Sequence, residues 1–212
     1  MNLEKLREAE GLFLHRYPGG FANEELQQIL KKRHNVGRLT EFAREALARK
    51  RFEQTAQVLD DIVRIVSRSS MVSMFEKPRF RDCVNGMSRD DRALLATAFK
   101  RMLHGSQETG FTDLVDLLGE AQLAKWSLVT ICLYQYRPDT EVFVKPTTTK
   151  NVIRQFELEG LTYRPRPSWL FYSTYRDAIA EMKAAVSPAL APNNAAFTGF
   201  LMMSTSVDQE RP

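Results

Sequence analysis

Apolar residues recur every three or four positions along most of the chain, and that period constrains the fold more than any other feature. Leu3, Leu6, Phe13 and Leu14 form one series, closed by Pro18-Gly19-Gly20. Leu26, Ile29 and Leu30 form a second, with Asn23 placed to cap it. Thr40 is placed to cap a third through Phe42, Ala43, Ala46 and Leu47, and Leu59, Ile62, Val63 and Val66 share one face of a fourth. Side chains at this spacing lie on one side of a helix, so each series is a stripe that must be buried against a neighbour. The expectation is a mainly α, multi-helical globular domain.

The same pattern continues further on. Ser88 with Asp91 imitates a capping box, ahead of Leu94, Leu95, Ala98, Phe99, Met102 and Leu103, and Gly105 stands where that helix should stop. A short helix around Phe111–Leu118 and a long one over 120–137, ended by Pro138, are expected next. The irregular stretch 67–77 suggests a boundary between an N-terminal helical part, 1–66, and a C-terminal part, 67–212, unless the chain is one continuous domain. Glu141-Val-Phe-Val-Lys145 and Leu161-Thr-Tyr-Arg164 are short, β-branched and aromatic, so one small β-hairpin is expected near residues 141–164. Thr147, Thr148 and Thr149 offer N-caps for a helix between them, through Val152, Ile153 and Phe156. A helix over 168–185 and a last one capped by Asn193 or Asn194 complete the chain, with a polar tail from Ser204.

Several functions are argued down by what is missing. No run reaches the roughly 18 apolar residues of a membrane helix, and the most apolar stretch, 126–136, is interrupted by Ser127, Thr130 and Gln135. The first residues carry an acidic side chain and no apolar core, unlike a secretory signal, so a cytoplasmic protein without membrane partners is expected. Cys83 and Cys132 suit two reduced, buried thiols. There is no glycine-rich phosphate loop and no G-x-S-x-G elbow, and His15, His34 and His104 are isolated. No catalytic residue, no metal site and no cofactor is expected. Glu141 and Lys145 would share a strand face, but four residues apart they do not match a metal-dependent nuclease, whose second acid and lysine are one residue apart.

Charge points elsewhere. Thirty Lys and Arg face 26 Asp and Glu. From Gln28 to Arg51 eight basic residues stand against two acidic ones. Lys145 and Lys150 flank the threonines at a helix start, where backbone N–H groups, the Thr147 and Thr148 hydroxyls and the helix dipole all favour an anion. That helix stops in Glu157-Leu-Glu159-Gly160-Leu161-Thr-Tyr163 and leads to a basic turn, which resembles the recognition helix and wing of winged helix-turn-helix proteins. The resemblance implies that Lys150, Asn151 and Arg154 face the major groove and that Arg164 and Arg166 lie on phosphates. A plainer reading of the same residues is a threonine-capped helix on a β-hairpin with its lysines in solvent. The aromatic group Trp169–Tyr175 fits a buried stripe better than a base-stacking platform.

The leading expectation is a non-enzymatic nucleic-acid-binding accessory or regulatory protein. Its candidate contacts are Lys145, Thr147, Thr148, Lys150, Asn151, Arg154, Arg164 and Arg166. The alternative is a helical interaction module with a protein partner or a second copy, motivated by Phe200, Met202 and Met203. An enzyme with an unfamiliar site is the third.

Overall fold

The structure, a computed structural model, describes residues 1–33 and 36–206. The side chains of residues 30–36 lie outside that description, and with them the basic run Lys31-Lys32-Arg33-His34, as does the tail beyond Ser206. Eleven α-helices occur among the described residues. They are α1 (Leu3–Arg16), α2 (Glu24–Arg33), α3 (Val36–Ala46), α4 (Thr55–Arg68), α5 (Glu76–Gly86), α6 (Arg89–His104), α7 (Gln107–Glu120), α8 (Trp126–Tyr136), α9 (Pro146–Gln155), α10 (Trp169–Ala184) and α11 (Asn194–Ser206). The protein is mainly helical, as the periodicity demands. Two compact units form. The first is Met1–Asn35, Pro138–Tyr163 and Phe171–Pro212, and the second is Val36–Arg137 with Arg164–Leu170.

In the first unit the Phe13 ring lies 5.3 Å from Tyr17, 5.5 Å from Phe21 and 5.3 Å from Phe200. Asn193 Oδ1 accepts from Ala196 N–H at 2.8 Å and so caps α11. Phe197, Phe200 and Leu201 are buried, so most of the apolar face of α11 is spent inside the unit. Asn2 fastens the start of the chain: its Oδ1 caps α1 at Lys5 N–H, its N–H donates to Phe156 O at 2.8 Å, and its Nδ2 donates to Glu157. Lys5 Nζ donates to Glu157 Oε1 at 2.6 Å, and this bond leads in holding that carboxyl below its ordinary range. Gly20 has φ +62°, and a Cβ there would meet Ala189 O at 2.4 Å, so both conformation and space demand glycine.

The expected hairpin does not form: no strand occurs among the described residues. Residues 141–145 belong to no helix or strand, and Glu141, Val142, Phe143 and Val144 are all buried. Side chains serve the backbone that a ladder would otherwise serve. Asn194 Nδ2 donates to Glu141 O at 3.3 Å, and Val142 N–H points at Tyr172 Oη at 3.4 Å. A thread buried on all sides selects the same β-branched and aromatic residues as a buried strand, which is why the sequence suggests one. Helix α9 also begins before the threonines, with Lys145 as N-cap and Pro146 in its first turn, so no threonine caps it.

The second unit is built on α8, whose residues from Trp126 to Gln135 are all buried. A helix covered on every side belongs at a centre. Its polar groups are paired: Thr130 Oγ1 donates to Trp126 O at 2.7 Å, and Thr40 Oγ1 donates to Gln135 Oε1 at 2.8 Å. Thr40 therefore sits inside α3 rather than capping it. The expected long helix over 120–137 starts only at Trp126, because α7 runs on to Glu120 and the chain turns before α8. Gln122 takes φ 58°, and Leu123 N–H closes on Leu118 O at 2.8 Å, a left-handed C-cap that ends α7. Ser88 Oγ accepts from Asp91 N–H and donates to its carboxylate at 2.7 Å, so Ser88 caps α6 as expected, with Asp91 reaching back to the hydroxyl. Helix α5, unsignalled in sequence, buries only Phe80 and Val84, one turn apart.

His104 ends α6 between the rings of Phe52 (5.7 Å) and Tyr136 (5.3 Å). Its Nε2 lies 2.8 Å from Leu47 O, which can only accept, so that nitrogen carries the proton. Burial leads in lowering the His104 pKa below its ordinary value, with the Leu47 bond opposing and Arg137, Arg49 and Lys100 adding to it. The unfolded chain therefore binds the proton more readily, so this contribution to stability is complete above about pH 6.5 and is lost as pH falls through the depressed native value. Thermal melting of wild type is expected to show this acid-side loss, and His104→Gln to lack it; equal acid slopes would remove His104 from the account.

Candidate nucleic-acid interface

Helix α9 has two opposite stripes. Thr149, Val152 and, at its end, Phe156 are buried, three to four residues apart. Opposite them, Thr147, Lys150, Asn151 and Arg154 follow the same spacing on the outer face. Thr147, Lys150 and Arg154 are exposed, Asn151 and Thr148 are half-buried, and Lys145 is exposed at the N-cap. The structure thus brings six of the candidate contacts onto one helix and its cap. Arg154 Nη2 approaches Asn151 Oδ1 at 3.4 Å. Lys150 Nζ lies 5.4 Å from the centre of the Tyr163 ring, a cation–π contact. Tyr163 is the residue the sequence does not single out. Only its place beyond Gly160, which turns the chain with φ +74°, hints at it.

No carboxylate among the described residues pairs with Lys145, Lys150 or Arg154, and the helix Pro146–Gln155 has no acidic residue. With no side-chain cap, the Thr147 and Thr148 N–H groups stay open at the positive end of the helix dipole.

Arg164 and Arg166 belong to the other unit, on a strap over 164–170. Trp126 Nε1 donates to Arg164 O at 2.7 Å, Pro167 is buried, and the Trp169 ring lies 5.8 Å from Phe111. The proline-rich turn is thereby a fastening onto α7 and α8. Arg166 Nη2 bonds Asp116 Oδ1 at 2.9 Å in an exposed ion pair. Among the described residues no strand follows α9, so the wing of the winged-helix resemblance is not found, and residues 141–145, where a helix should precede the recognition helix, are in no regular element. In the N-terminal basic segment Arg51 pairs with the buried Asp61 at 3.2 Å, which spends that cation inside the unit.

Other chemistries find little. Among the described residues no three His, Cys, Asp or Glu side chains are grouped as metal ligands would be. Glu141 is buried, accepting from Tyr172 Oη at 2.7 Å with Arg176 at 3.8 Å. Cys132 is fully buried, which pushes its thiol up to about 12, and Cys83 is raised for the same reason. Among the described residues no helix is long and apolar enough to cross a membrane. No protein-family model matches the chain, and no curated protein or solved structure matches it.

Proposed function

We propose that this chain is a cytoplasmic, non-enzymatic nucleic-acid-binding protein, an accessory or regulatory factor that holds phosphates along the outer stripe of α9. The observation that carries this is the uncompensated row Lys145, Lys150 and Arg154 beside an open helix N-terminus. Thr147 and Thr148 add hydroxyl donors, and Asn151 adds an amide. From Thr147 to Arg154 the helix rises about 10 Å, room for about two or three phosphates of one strand. Such contacts position a nucleic acid without reading its sequence. Arg164 and Arg166 are asked for phosphate contacts of their own on the second unit, Arg166 by exchanging Asp116 for a phosphate.

The test is fluorescence anisotropy with labelled duplex and single-stranded DNA and RNA. Lys150→Gln with Arg154→Gln is expected to weaken binding about tenfold, equally across sequences, with an unchanged melting temperature because both side chains lie at the surface. Wild-type affinity in that variant would remove α9 as the interface.

A further inference from the structure

The turn between α4 and α5 presents two large apolar side chains to solvent. Met74 is 75% exposed and Phe75 78%. Single exposed apolar residues are ordinary, but an adjacent pair on a fixed turn is not. The turn is fixed by its serines. Ser69, itself buried, accepts from Met71 N–H at 3.1 Å, and Ser73 Oγ accepts from Phe75 N–H at 3.3 Å. Ser73 O accepts from Glu76 N–H at 3.0 Å and Lys77 N–H at 3.2 Å, and Val72 is buried beneath. The two side chains are held outward with little left to order on binding.

The charge around them is mostly positive. From Arg64 to Arg81 five basic residues stand against one acid, Glu76. Glu76 is turned inward and accepts from Ser127 Oγ at 2.5 Å. Arg64 pairs with Asp61 and Arg81 with Asp82. Among the described residues no carboxylate pairs with Arg68, Lys77 or Arg79. The first turn of α8 holds both the start of α5, through Ser127, and the 164–170 strap, through Trp126. That strap carries Leu170, 76% exposed.

We propose that this turn is a membrane-contact tip, with Met74 and Phe75 entering the interfacial layer of an anionic bilayer while Arg68, Lys77 and Arg79 lie against its phosphates. Apolar side chains that insert beside cations that remain among headgroups are the two signals that together hold a protein on a bilayer surface. A lipid surface fits better than a protein partner. Two side chains on one turn cover far less than the roughly 800 Å² per partner of a stable protein interface.

The experiment is co-sedimentation of the full chain with vesicles of phosphatidylcholine alone and with phosphatidylserine added. Binding is expected only with phosphatidylserine. Met74→Ser with Phe75→Ser should weaken it about tenfold or more, and Lys77→Gln about fivefold. Circular dichroism should show both variants folded, and the double variant should keep wild-type affinity for nucleic acid, which separates this tip from α9. Absence of vesicle binding, or equal binding by the double variant, overturns the proposal. So does wild-type self-association that the double variant abolishes while vesicles go unbound, since the turn would then be a protein contact.

Discussion

Gly110→Ala is expected to destabilise the second unit by about 3 kcal/mol or more, the upper end of what overpacking costs. Gly110 lies in α7 where that helix crosses α6. A Cβ there would stand 2.1 Å from Met102 N, 2.6 Å from Met102 Cα and 2.7 Å from Ala98 O. All three are backbone atoms of a helix, so nothing flexible can yield, and the helices must separate. Separation strips contacts from Phe99, Met102, Leu103, Phe111 and Leu114, all buried. Gly11→Ala is the control. It lies in α1 with nothing within 4 Å of a new Cβ, so it should stabilise by about 0.5–1 kcal/mol through helix propensity alone. Urea unfolding of both variants decides this, and a Gly110→Ala midpoint equal to wild type would mean that α6 and α7 do not pack so closely.

Tyr172→Phe should cost about 1.5–3 kcal/mol, the range for a hydrogen bond to a charged group. Tyr172 is fully buried and donates to Glu141 Oε2 at 2.7 Å, so the substitution takes a donor from a carboxylate that is 3% exposed. The cost should also depend on pH. Burial, then the charge of Glu141, raises the Tyr172 pKa well above 10, and burial pushes Tyr175 up to about 12. Above about pH 10 the unfolded chain loses phenol protons that the native state keeps, so stability falls as pH rises. Wild type should lose stability more steeply above that pH than Tyr172→Phe does. Parallel alkaline profiles, or a variant as stable as wild type at neutral pH, would contradict the role given to this pair.

Most helices were legible because their apolar stripes and caps agree. Ser88 and Asn193 cap where side-chain chemistry says they should, and Phe13, Leu59, Ile62 and Phe99 face inward at helical spacing. The failures share a cause, which is that tertiary contacts replaced a local signal. Residues 141–144 look like a strand because all four side chains are buried, and the partners that spare Glu141 O and Val142 N–H a ladder, Asn194 and Tyr172, are 53 and 30 residues away. The break after α7 falls at Gln122, a non-glycine in left-handed conformation, so no glycine announces it. Thr40 has the chemistry of a cap but spends its hydroxyl on Gln135, 95 positions away.

The candidate site was legible in part. The winged-helix resemblance grouped Lys150, Asn151 and Arg154 on one face, and the structure keeps that face outward and adds Thr147 to it. What sequence could not supply is which cations are already spent. Arg51 is held by Asp61 and Arg166 by Asp116, and neither pairing has a local pattern to betray it. Nor could it show that 164–170 joins the other unit, because that rests on distant partners, Trp126 for Arg164 O, Asp116 for Arg166 and Phe111 for Trp169.

Phosphate binding by α9 is measured most directly as the affinity of the full chain for a labelled duplex over a series of salt concentrations. Each neutralised phosphate contributes about −0.9 to the slope of log affinity against log salt, so the two or three contacts α9 can span contribute about −2 to −3, and Arg164 and Arg166 up to about −2 more. Lys150→Gln with Arg154→Gln should make the slope shallower by about 2. Binding that ignores salt, or no binding at low salt, would contradict the claim.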